Sequence, residues 1–242
     1  MNLKNHVLKL MEQLGQLRFR EIGKVENTEY RKADGYKHGN TPPKDGYQPL
    51  CAQTLLSGKD AHYWIRGTFD TPKATDVNTE YLLKVTTGKE GQWDATNPQG
   101  LLYLNREMVQ GLDTNHTTAF LQPDTHYEMV NYFYVGMIDE AVHCDFRLLA
   151  LDRAIENLYY DIKVPYDCYL LCDPASSDAL TIIETLSEGV RLLDLRLPYS
   201  PAFYASLSAA QSYITEEFYE KCCSVAGKPI INCLGHTHID VE

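Results

Sequence analysis

The chain has 242 residues, 44% of them hydrophobic, with 33 Asp and Glu against 22 Lys and Arg for a formal charge of −11. That length and apolar content suffice for one large core or two small ones and exclude disorder by composition. The acidic excess argues against nucleic acid and anionic membranes as partners, because both require a basic surface, and leaves neutral, hydroxyl-rich ligands open.

Residues 3–24 carry Leu3, Val7, Leu10, Leu14, Leu17 and Ile22 at near-helical spacing, which predicts an amphipathic N-terminal helix. Residues 26–48 are polar and rich in Gly, Pro, Tyr and Lys and read as a solvated surface connection. Short runs rich in aromatic and β-branched residues follow at 61–69, 81–86, 100–104, 117–121, 127–135 and 142–150. Turn clusters such as Asp70-Thr71-Pro72 and Gln122-Pro123-Asp124 separate them, the pattern of an antiparallel sandwich or jelly roll. Trp64 and Phe69 lie within strand patterns and are assigned to packing, whereas Trp93 sits in a polar loop beside Asp94 and Asn97.

After Ala150 the period becomes helical. Leu151, Ile155, Leu158, Tyr159 and Ile162 share one face of a helix that is expected to break near Pro165. Ser177 is the expected N-cap of a second helix running to about Leu195, and Ser200-Pro201 opens a third that continues to about Cys223. The apolar run Ile230–Gly235, bounded by Gly227 and Pro229, predicts a buried strand. The fold class is therefore mostly β with α: an N-terminal helix (1–25), a β-sandwich (26–150), a helical region (151–225) and the first strand of an α/β domain (226–242).

No stretch approaches the ~20 apolar residues of a membrane helix, and the N-terminus lacks the apolar core of a signal peptide, so a cytoplasmic location is expected. The seven cysteines are scattered and odd in number, which argues against a disulfide framework. Cys168 and Cys172, spaced i,i+4, read as buried free thiols. The motif that carries chemistry is His236-Thr237-His238-Ile239-Asp240. On an extended strand these two imidazoles and the carboxylate share a face at steps of roughly 6 to 7 Å, a donor set suited to Zn, Co, Mn or Fe. One or two further donors are needed for a mononuclear site.

Gly235–Asp240 resembles the HxHxD that opens the catalytic domain of the glycoside hydrolase family 38 α-mannosidases. Gly100–Asp113, which contains Val109-Gln110-Gly111-Leu112-Asp113, resembles the accessory region of the cytosolic branch of that family, and Ala141–Phe146 with the three helices fits the same arrangement. The resemblance implies a divalent metal, zinc or often cobalt in the cytosolic branch, held by His238 and Asp240, with His236 as a neighbour rather than a ligand. It places the other ligands, and the carboxylate nucleophile of a retaining double displacement, downstream of residue 242. The chain would then be the N-terminal part of the enzyme, inactive alone, and the substrate a terminal α-mannoside or mannose-containing oligosaccharide. Homo-oligomerisation stays open. Under the same reading Gln110–Asp113 is a surface loop through which the sandwich docks on a neighbouring domain. An amidohydrolase is the rival enzyme and would use both His236 and His238 on a dinuclear centre. A non-catalytic carbohydrate-binding module, with Trp64, Trp93 or the tyrosines as stacking platforms, is the reading of a different class.

Overall fold

In the computed structural model, which describes residues 2–33, 41–74, 76–92 and 98–223, ten strands form two antiparallel sheets. Numbered in chain order, the smaller sheet runs β1 (Phe19–Lys24), β10 (Asp145–Asp152), β5 (Thr79–Thr86), β8 (Thr118–Leu121). The larger runs β3 (Gln48–Pro49), β2 (Glu26–Lys32), β4 (His62–Asp70), β9 (His126–Tyr134), β6 (Gln99–Leu104), β7 (Glu107–Leu112). Alternation along each strand sends one set of side chains inward. Ile65, Phe69, Met129, Phe133 and Leu102 from the larger sheet meet Leu83, Val85, Phe146 and Leu148 from the smaller in one core. Each such side chain stabilises the sandwich by about 1.5–3 kcal/mol.

The chain divides into two compact units, the sandwich at residues 16–156 and a helical unit of residues 1–15 and 157–242. The helices are α1 (Leu3–Leu17), α2 (Arg153–Leu171), α3 (Ser177–Arg191) and α4 (Pro201–Ile214), the last running into a π-helical turn, Thr215–Glu220. Val7, Met11 and Leu14 bury the stripe of α1. Tyr159 of α2 lies so close to Gly15 that a Cβ there would stand 2.9 Å from its ring. Serine caps satisfy otherwise orphaned amides at two helix starts: Ser176 Oγ accepts from Ala179 N at 3.2 Å and Ser200 Oγ from Phe203 N at 3.2 Å. No helix among the described residues is long and apolar enough to cross a membrane.

Several expectations are corrected. The N-terminal helix ends at Leu17, and residues 19–24 form β1, whose partner is β10. Gly23 weakens a helix there, while β10 offers a row of backbone partners. The segment expected to be a solvated strap contains β2 and β3. Its polar residues are used across the sheet, where Glu29 pairs with Arg66 at 2.7 Å and the Arg66 guanidinium lies 3.9 Å from the centre of the Tyr47 ring. The supposed Gln110–Asp113 loop is largely strand β7, paired with β6. Helix α2 runs through Pro165 without a break, and the second cap is Ser176, one residue earlier than expected. Cys168 is exposed and Cys172 partly so; of the described cysteines only Cys144 is buried. The predicted strand at 230–235 lies outside the described residues.

One glycine is fixed by close approach. The pairing of β2 with β4 is bulged between Glu26 and Glu29, where Asn27 takes a positive φ of 48°. Opposite the bulge, a Cβ on Gly67 would stand 2.5 Å from Val25 Cγ1 and 3.0 Å from the Glu26 carbonyl. Gly67→Ala is therefore expected to lower stability by about 1–3 kcal/mol through overpacking. Urea unfolding followed by tryptophan fluorescence checks this, and an unchanged midpoint would show that the bulge can move aside.

Candidate functional site

Inward residues on β4 and β9 dictate what stands on the opposite face. With Tyr63, Ile65 and Phe69 in the core, His62, Trp64 and Arg66 must face outward, and with Met129 and Phe133 in the core, so must Tyr132 and Tyr134. The register sets His62 beside Tyr134 and Trp64 beside Tyr132, and on the other flank of β9 it sets Gln99 beside Tyr134 and Leu101 beside Tyr132. The result is an aromatic ladder. The Trp64 and Tyr132 ring centres are 4.5 Å apart, His62 stacks on Tyr132 at 5.1 Å and 15°, and His62 lies 4.9 Å from Tyr134. Trp64 is buried, as expected, but on this outer face rather than between the sheets.

The ladder floors a cleft of about 780 Å³ whose walls include Asp60, Gln99, Gly111 and Asp113. That volume falls within the range of about 300–1,000 Å³ typical of small-molecule sites. Asp60 is held in the left-handed region at φ 54°, and its Oδ1 accepts the Tyr134 hydroxyl at 2.8 Å. Burial, and then the Asp60 carboxylate, push the Tyr134 phenol up, so it keeps its proton and donates. Burial pushes the His62 imidazole down, against the smaller opposing pull of Asp60. At the far end Asp113 caps the turn after β7, accepting from the backbone N–H of Asn115 at 2.7 Å and of His116 at 2.6 Å, and from His116 Nδ1 at 2.9 Å. Burial alone would raise this carboxyl, but those hydrogen bonds outweigh it and hold the pKa below the usual carboxylate range. The cleft thus presents carboxylates, an imidazole, a phenol donor and an amide, with no Lys or Arg among the described residues of its lining.

A second depression of about 410 Å³ lies over β5 and β8. Its cation, Arg153, is bound to Glu80 at 2.6 Å and to Glu156 and lies 5.5 Å from the Phe120 ring centre, so its charge is already matched within the fold. The six-stranded sheet carries the stronger site.

The residues singled out from the sequence are distributed unevenly. His236, His238, Asp240 and Trp93 lie outside the described residues. No group of three or more His, Cys, Asp or Glu placed to hold a metal occurs among the described residues. Gly111 and Asp113 of the Gly100–Asp113 segment do reach the cleft, at its wall. His62, Tyr132 and Tyr134 had a signal in the sequence: they alternate with apolar positions inside aromatic-rich strands.

No protein-family model matches the chain, and no curated protein matches it. Among solved structures it is similar to a Ruminococcus gnavus β-glucuronidase, with a TM-score of 0.33 and 11% identity over 55% of this chain and 28% of that one. The β-glucuronidase from Ruminococcus gnavus in complex with uronic isofagomine gives a TM-score of 0.32 and 12% identity over 55% of this chain and 28% of the other. The chain therefore spans under a third of the length of these enzymes. A likeness this low assigns neither fold nor activity.

The depressed His62 pKa has a definite sign in stability. The folded state resists protonating this imidazole, so its neutral form costs nothing above the ordinary value of about 6.5, and stability falls as pH drops below it. The thermal midpoint is expected to fall less between pH 7.5 and pH 5.5 in His62→Gln than in the parent. Parallel pH–melting curves for the two proteins check this, and identical slopes would remove His62 from the account.

Proposed function

We propose that the chain is the N-terminal accessory region of a retaining, metal-dependent α-mannosidase that acts on terminal α-mannosides in the cytoplasm. The observation that carries this is the His236-Thr237-His238-Ile239-Asp240 motif following the apolar run Ile230–Gly235. Further support comes from the second segment of resemblance, Gly100–Asp113, which includes the β6–β7 hairpin, built structure of the sandwich rather than a linker.

The donor chemistry fits the implied metal, since imidazole with carboxylate is a borderline set that suits zinc or cobalt. His238 and Asp240 would hold the ion, with His236 beside them. When bound, such an ion supplies Lewis-acid anchoring of the sugar 2- and 3-hydroxyls. Asp240 contributes the anionic charge of this pair, and His238 must be neutral to ligate, so metal affinity falls at acid pH. The nucleophilic and acid/base carboxyl groups of a retaining displacement are supplied from outside these residues.

The test uses the polypeptide in which this chain continues into its catalytic domain. Hydrolysis of an aryl α-mannoside with retained configuration, lost on chelation and restored by zinc or cobalt, is expected. Chelator-insensitive cleavage, or hydrolysis of a cyclic amide instead, would overturn the reading. Asp240→Ala is expected to lower metal content and activity together, and His238→Ala to lower metal content far more than His236→Ala. Equal metal loss from the two histidine variants would point to the dinuclear amidohydrolase centre.

A further inference from the structure

We propose that the cleft on the outer face of the six-stranded sheet is a carbohydrate-binding site that takes neutral pyranose units of an oligosaccharide. This does not rest on the α-mannosidase reading, because it concerns binding by the sandwich and not hydrolysis.

Three features select that ligand class. The first is the floor. His62, Tyr132 and Tyr134 form a continuous ring surface, and each remains partly exposed while Trp64 packs against Tyr132. Rings immobilised by one another offer the C–H groups of a sugar an apolar surface with little further loss of side-chain freedom. The second is polarity. The Asp60 carboxylate can accept about four hydrogen bonds and accepts one from Tyr134, which leaves acceptor sites for the adjacent hydroxyls of a pyranose. Gln99 adds an amide with both donor and acceptor capacity at the same end. The third is charge. Among the described residues the lining carries carboxylates and no Lys or Arg, which disfavours phosphorylated, sulfated or uronic ligands, in keeping with the −11 charge of the whole chain.

The cleft also supplies its own probe. Gly111 of β7 lies in its wall, and a Cβ built there meets nothing within 4 Å. Its φ is not among the positive values, so an ordinary side chain is accommodated without backbone strain. Gly111→Leu therefore fills the cleft while leaving the core untouched.

Isothermal titration calorimetry on the 242-residue chain, with methyl α-D-mannopyranoside, α-linked mannobiose, cellobiose and a glucuronic acid disaccharide, tests the assignment. Saturable binding of at least one neutral saccharide is expected, weakened about tenfold or more in Gly111→Leu with an unchanged melting temperature, equivalent to about 1.4 kcal/mol. Tyr134→Phe, which keeps the ring and removes the hydroxyl that holds Asp60, is expected to weaken binding about 2- to 10-fold. Phe120→Ala, in the other depression, should leave binding unchanged. Absence of binding to every neutral saccharide at millimolar concentration overturns the proposal. So does binding that survives Gly111→Leu, binding lost in Phe120→Ala instead, or preference for the glucuronic acid disaccharide. Should Gly111→Leu fold poorly, the Tyr134→Phe titration decides alone, and unchanged affinity there overturns the proposal.

Discussion

The pairing of β4 with β9 is the constraint on which the sandwich depends. Nine consecutive residues, His62–Asp70, lie against Tyr134–His126 without a break in register. Over His62–Trp64 and Tyr132–Tyr134 the two strands carry rings on both faces, so their register decides which of those rings enter the core. A slip of one residue by β9 would carry Met129 and Phe133 outward and bring Tyr132 and Tyr134 between the sheets, and a slip by β4 would exchange Ile65 for His62 and Trp64. Burying a histidine and a tyrosine there without partners would cost several kcal/mol, so the same register that fills the core also builds the ladder.

That coupling ties the candidate site to stability. The cleft floor is the back of the core wall and not a loop appended to it, which places its rings on strands paired along both edges. Its rim is different in kind. Asp60 lies in the turn before β4 and is held by bonds to Tyr134 and Gly136 at and just after the end of β9, whereas Asp113 begins a turn and is held by local hydrogen bonds. A rigid aromatic floor with a hydrogen-bonded polar rim separates affinity, which stacking supplies, from selectivity, which the rim supplies.

The elements legible in the sequence are those with strong periodicity and local caps. Helix α3 shows its stripe of Ala179, Ile182, Ile183, Leu186 and Val190, and α4 its Ser200-Pro201 start, so both stand out before any tertiary argument. Strands β4, β5 and β9 stand out by their β-branched and aromatic content, and β10 by its apolar run Leu148–Leu151. The missed strands, β1, β2, β3 and β7, are poor in buried apolar residues and are held by backbone pairing, with cross-strand charges on β1 and β2, which no local window contains. The cleft was hidden for a related reason. Its rings occupy the same short runs as core rings, and only the pairing of distant strands separates the two faces. The His236–Asp240 motif is the reverse case, plain in the sequence but lying outside the described residues.

The bulge opposite Gly67 alters the parity of the chain. Glu26 pairs with outward-facing Thr68 and Tyr30 with inward-facing Ile65 although four positions separate them, an even interval that a regular pleat would resolve onto the same face. The extra residue at Glu26–Glu29 resets the count. Everything from Thr28 to Lys32 therefore owes its facing to one supernumerary position. Deleting Asn27 would not shorten this strand so much as invert it, turning Tyr30 to solvent and Glu29 and Arg31 toward the apolar interior. The six-stranded sheet thus tolerates substitution along β2 far better than it tolerates a change in length.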